Sequence, residues 1–174
     1  MAPSVPAGPA PANAPLARRF AALIYEGLLL VALLFVLNFV LLPLVSPGHA
    51  GQAKDLVVPA LPQRLALFWI LFALLAGFYT WCWTHGRRTL AMKTWRMRLV
   101  RRDGSVLPAR TGLLRYLATW IGPLAAVLAY AALAPHGLGG HAAWLVGLGF
   151  LWAFIDHDRQ FLHDRIAGTR LVRE

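Results

Sequence analysis

Residues 17–45 read ARRFAALIYEGLLLVALLFVLNFVLLPLV. After the arginine pair Arg18 and Arg19 the run stays apolar for longer than the ~20 residues that cross a bilayer as a helix. One acid interrupts it, Glu26, and one amide, Asn38. A charged side chain at the centre of a span costs about 2.5–3.5 kcal/mol on insertion scales. The seven-residue step from Arg19 to Glu26 keeps both on one helical face, roughly 10 Å apart along the axis. A chain that keeps an acid there has a use for it, so the rest is read from this helix outward.

The 174 residues are 59% apolar and 14% charged, outside the usual globular range on the membrane side. Hydropathy predicts four spans, at about 20–45, 65–83, 113–133 and 138–155. The net charge of +10 is explained by their flanks. Of 17 Lys and Arg, two precede the first span, nine lie between the second and third, and four follow the last. Only Lys54 and Arg64 fall in the first loop. This asymmetry predicts a multi-pass protein of the cell inner membrane with both termini cytoplasmic. It also removes the reason to invoke nucleic acid as a partner. Residues 1–15 are rich in Pro and Ala and read as a disordered tail, leaving 16–174 as the membrane domain. The single cysteine, Cys82, lies in an apolar span and reads as a packing residue.

The loop between the second and third spans carries a period-two pattern. Trp95, Met97 and Leu99 alternate with Arg96 and Arg98, which is the signature of a strand. Asp103-Gly104 follows as a hairpin signal, with Ser105–Leu107 as a short return strand stopped by Pro108. The expected fold class is therefore all-α transmembrane, a four-helix membrane bundle with a small cytoplasmic β-hairpin between helices 2 and 3. Arg170–Val172 is expected to add a strand beside it. The arginine face of the hairpin can meet anionic headgroups of the lipid bilayer, at about 1 kcal/mol per residue near the surface. It can equally meet carboxylates. In the second span, Trp81 and Trp83 fit an interfacial belt.

Three stretches, RRFAALIYEGLLL (18–30), RTLAMKTWRMRLVRRDG (88–104, with Arg115-Tyr116 after it) and DRQFLHDRIAGTRLV (158–172), occur in an order that resembles the RDD family of integral membrane proteins. The resemblance implies that the family's arginine is Arg19, its first aspartate falls at Glu26, and its second is Asp164. Glu26 departs from the family letter and sets the carboxyl about one methylene further out. The resemblance also implies a role in transport of a ligand.

The candidate site is a cytoplasmic polar cluster of Arg19, Glu26, Asp156, His163, Asp164, Arg96 and Arg98, with Asp164 expected to pair with Arg19, Arg96 or Arg98. Glu26 is either an ion- or proton-binding carboxylate or a structural partner of an arginine. His157 and His163 are spaced off one helical face and have no cysteine beside them, so no metal or other cofactor is expected. No nucleophile elbow, phosphate loop or zinc signature occurs, so no enzyme is expected. Two functions remain: transport of a ligand or ion, with a homo-oligomer as its form, or a non-transporting subunit that assembles with another membrane protein.

Overall fold

The computed structural model describes residues 13–45 and 60–174. The first twelve residues of the Pro/Ala-rich tail, residues 46–59 of the first loop and the side chains of Asn38 and of residues 42–45 lie outside the described residues. Three stretches are long and apolar enough to cross a membrane: Leu16–Leu41, Leu61–Trp83 and Ala109–His136. The first lies in helix α1, Leu16–Val45, whose opening turn takes in both arginines. The second is α2, Leu61–Trp83, which begins ahead of the expected position. Pro62 suits a first turn because its missing donor has no partner there anyway. The Ala60 amide donates to the Gln63 side chain at 2.8 Å, closing the helix start.

The third stretch is broken once. Helix α4, Ala109–Thr119, passes through Trp120 into α5, Ile121–Leu133. Pro123 has no amide to give the Thr119 carbonyl, which accounts for the break. At the same place α5 runs against a neighbouring backbone: a Cβ on Gly122 would sit 2.7 Å from the Val146 carbonyl oxygen. Glycine is required there.

The expected fourth span, 138–155, is a shorter apolar helical segment, Gly139–Phe154. It winds as a 3-10 helix over Gly139–Gly147, then as α6, Leu148–Leu151, and again as 3-10 over Trp152–Phe154. Gly140 and Gly149 in this segment face open space, and Gly147 meets only Leu151 at 3.9 Å. The tight contacts are made by Gly122 and by Gly139, whose Cβ would lie 2.9 Å from the Tyr130 ring.

The expected hairpin is replaced by a pairing across the chain. A short helix, α3 (Leu90–Thr94), is capped by the Thr89 hydroxyl, which accepts from the Met92 amide at 3.3 Å. It leads into β1, Met97–Arg101. Asp103-Gly104 does turn, with Gly104 at φ +84° and the Arg101 amide donating to the Ser105 carbonyl at 3.0 Å. The return stretch then leaves the sheet, with Leu107 buried and Pro108 capping α4. The partner of β1 is β2, Thr169–Arg173, antiparallel, with Leu99 opposite Leu171. Three residues before a proline cannot match the five-residue ladder that TRLVR offers. Beyond β2, Asn13 forms a bridge with Val172 and the Ala14 amide donates to the Leu171 carbonyl at 2.8 Å. The two ends of the described chain are thus joined by hydrogen bonds.

Helix α7, Leu162–Ala167, ends at Gly168 in the left-handed region, φ +65°, and delivers the chain into β2. The buried core lies at this sheet end: Met92, Met97, Leu99, Leu107, Tyr116, Trp83 and Leu171. The far ends of the long helices bury little. Phe35 and Phe39 in α1 and Val127 and Leu128 in α5 are exposed, as side chains meeting acyl chains are.

Candidate functional site

The site is built on the inner faces of α1, α2 and α4 and is floored by the segment that leads into β2. Its centre is Arg115, two turns into α4 and almost fully buried. Its Nε donates to Asp164 Oδ1 at 2.7 Å. Its guanidinium carbon lies 4.2 Å from the centre of the Trp83 ring, a cation–π contact. A second nitrogen lies 3.2 Å from His163 Nε2. Arginine can only donate, so that imidazole nitrogen accepts and is unprotonated. Burial of His163, with the Asp164 charge opposing and the Arg115 and Arg19 charges reinforcing the effect, pulls its pKa down to about 4. The imidazole is neutral at pH 7.

Asp164 has no exposed surface. Burial by itself would raise its pKa, but the Arg115 charge, His163 and hydrogen bonds from Arg115 and Thr169 together hold it below the usual carboxylate range. The Thr169 hydroxyl donates to the same Oδ1 at 2.9 Å. Asp164 is thus a charged, fixed anchor that ties α7 and β2 to α4.

Arg19 is also buried, and its guanidinium stacks 5.0 Å from the Phe161 ring centre. It donates to the Arg159 carbonyl. That carbonyl is presented by a turn in which Asp156 Oδ2 accepts from the Asp158 amide at 3.1 Å and the Gln160 amide at 3.0 Å. Arg159 takes φ +51° within it. Asp156 also faces Arg165 Nε at 3.3 Å. It shapes the loop that receives Arg19 and does not line the cavity.

Between these groups lies a cavity of about 310 Å³. Arg19, Glu26, Arg115 and His163 line it with Tyr79 and Trp83, and Leu30, Pro123 and Val146 continue the wall with apolar surface. Glu26 feels the Arg115 charge and the Thr89 hydroxyl from the start of α3. The sequence therefore placed Arg19 and Glu26 correctly on one face. The structure brings them together with His163 and, through Arg115, with Asp164.

Arg96 and Arg98 are exposed on and beside β1 and do not reach this cluster. Their place as partner of Asp164 is taken by Arg115. The sequence singled out Arg115 only beside Tyr116 in the stretch that resembles the family, and not as a partner of Asp164. The available signal was its position: an arginine six residues inside an apolar helix needs a buried anion as much as Glu26 needs a cation. Trp83, expected at the interface, is buried beneath Arg115, whereas Trp81 is exposed beneath Arg87.

Comparison with curated proteins and with solved structures finds no match. The model of the RDD family matches residues 13–168, a span that runs from the bridge at Asn13 through α7 to the glycine before β2. That stretch includes Arg19, Glu26, Arg115 and Asp164, and with it nearly the whole chain: the protein belongs to the RDD family.

Proposed function

We propose that this chain is a multi-pass protein of the cell inner membrane that takes part in transport, with the cavity as the place where the transported ligand or ion is held. The observation that carries this reading is Glu26. Asp164 is spent on Arg115 and Thr169, but Glu26 faces the cavity. An acid within a membrane-spanning helix that lines a cavity is a site by default. The cavity falls at the small end of the range of ligand pockets.

The topology that goes with it has both termini and the sheet on the cytoplasmic side, supported by the arginines at that end. A 3-10 helix rises about 2 Å per residue against 1.5 Å for an α-helix. Gly139–Phe154 therefore reaches roughly 30 Å, the thickness of a hydrocarbon core, and serves as the fourth crossing. Arg96 and Arg98 face the anionic headgroups in this arrangement. A homo-oligomer fits the wide apolar faces of α1 and α5. No catalytic step, cofactor or nucleic acid enters this reading.

The test is ion or proton flux in proteoliposomes containing wild type or Glu26→Gln. Flux that the substitution lowers supports the reading, and unchanged flux removes Glu26 from the mechanism. The second reading, a non-transporting subunit of a membrane complex, is favoured by the exposed Phe35, Val36, Phe39 and Val40 on α1. It requires a stoichiometric partner to co-purify in mild detergent.

A further inference from the structure

The cavity has two kinds of wall and one open flank. At the sheet end its lining sets Arg19, Arg115 and His163 among apolar side chains such as Met97 and Leu171. Arg19 makes no ion pair among the described residues, so this end offers a cation to anionic oxygens. On the same wall stands Glu26, an acceptor suited to a cation. Towards the middle of the helices the lining continues with Leu30, Pro123 and Val146.

The flank is set by α1. This helix leans on α3 and α2 near the sheet, and beside Glu26 it carries Gly27, which is exposed. A Cβ built on Gly27 meets nothing within 4 Å. The missing side chain leaves a gap in the wall at the level of the polar groups, on a helix whose outer face is apolar and exposed.

We propose that the cavity binds one zwitterionic amphiphile taken sideways from the bilayer: its anionic oxygens meet Arg19, its ammonium meets Glu26, and its chain lies along Leu30, Pro123 and Val146. The charges support a zwitterion over an anion or a cation. Arg115 is paired with Asp164, whereas Arg19 and Glu26, one cation and one anion on the cavity wall, make no ion pair among the described residues. The apolar continuation of the groove supports an amphiphile over a free amino acid, which has the same pair of charges but no chain to fill it.

The inference rests on the cavity being a ligand site, and it names the ligand class. Its test measures binding to purified full-length protein in nonionic detergent. The probe is a tritiated single-chain phosphoethanolamine amphiphile. The competitors are the same chain carrying phosphoglycerol or trimethylammonium, and free leucine. Saturable one-to-one binding is expected, about tenfold tighter than for either singly charged head, since one lost charged contact is worth at least that factor. Glu26→Gln weakens the phosphoethanolamine probe about tenfold and leaves the phosphoglycerol amphiphile unchanged. Gly27→Leu, which has room for its side chain on the free protein, closes the flank and abolishes binding.

Equal affinity for all three heads, or full binding by Gly27→Leu, overturns the proposal. Displacement by leucine as effective as by the amphiphile overturns the bilayer as the source. Unfolding temperatures of both variants check that each is folded, and the Glu26→Gln comparison stands independently of the Gly27 variant. Binding without flux in proteoliposomes sinks the transport reading and leaves this one. Flux without amphiphile binding does the reverse.

Discussion

Arg115 is enclosed by three different partners: a carboxylate, a neutral imidazole and an indole face. Removing it strands Asp164 in a site with no exposed surface. Arg115→Leu is therefore expected to destabilise by about 3–5 kcal/mol, the usual cost of breaking a buried ion pair from one side. Arg115→Lys recovers only part of this, because an ammonium cannot lie flat on Trp83 while serving both Asp164 and His163. Thermal unfolding in detergent, with near-UV circular dichroism as readout, measures both variants. His163 gives a pH dependence with a defined sign. Its folded-state pKa is depressed from 6.5 to about 4, so the unfolded chain binds a proton first as pH falls. Stability is fully present above 6.5 and declines between 6.5 and 4, by roughly 3 kcal/mol across the window. His163→Gln is expected to flatten that slope in unfolding temperature between pH 7.5 and pH 4.5. An unchanged slope would assign the dependence to another group.

At the scale of elements, Gly122 and the pairing of β1 with β2 make separable predictions. A methyl at Gly122 would run into the Leu145 and Val146 carbonyls, which are backbone and cannot rotate away. Gly122→Ala is expected to cost about 1–3 kcal/mol, the range for overpacking. Gly140→Ala and Gly149→Ala enter open space and are expected to be neutral or slightly stabilising. Unfolding temperatures in one detergent rank the three. For the sheet, Val100 and Arg170 are opposite each other. Cysteines at these two positions, in a Cys82→Ala background, are expected to crosslink on mild oxidation. A pair at Val100 and Val106 tests the local hairpin and is expected to stay reduced. The reverse pattern would sink the β1–β2 register.

These elements also mark where sequence reading succeeds and where it stops. Periodicity placed Arg19 and Glu26 on one face because both lie on a single helix, where spacing alone fixes geometry. The strand at 97–101 was visible for the same reason. The strand at Arg170–Val172 was also expected, beside a hairpin. That it pairs with β1 in place of the much nearer Ser105–Leu107 is a competition no local pattern decides. The Arg115–Asp164 pair spans 49 residues and was hidden for the same cause. The 3-10 winding of Gly139–Gly147, which runs against α5 at Gly122, has no signature in composition and was hidden too.

For the whole molecule, the spanning helices bury few side chains, and the packed core is confined to the end that carries the sheet. Stability is expected to be concentrated there, and hydrogen exchange in detergent or nanodiscs should find the slowest non-helical amides in β1 and β2. A reporter fused after residue 174 that is active outside the cytoplasm would overturn the proposed topology.

The bridge between Asn13 and Val172 carries a consequence for biosynthesis. Asn13 and Ala14 are synthesised long before their hydrogen-bond partners in β2, Val172 and Leu171. Arg115 likewise waits for Asp164, and Arg19 waits for the Arg159 carbonyl and the Phe161 ring. The helices can therefore be threaded into the bilayer one by one while every buried charge at the sheet end is still solvated. Residues 159–173 then lock all of them together. A chain truncated after Arg159 lacks Phe161, Asp164 and β2, and it is expected to be cut by protease within β1, Met97–Arg101, which the pairing with β2 covers in the full chain.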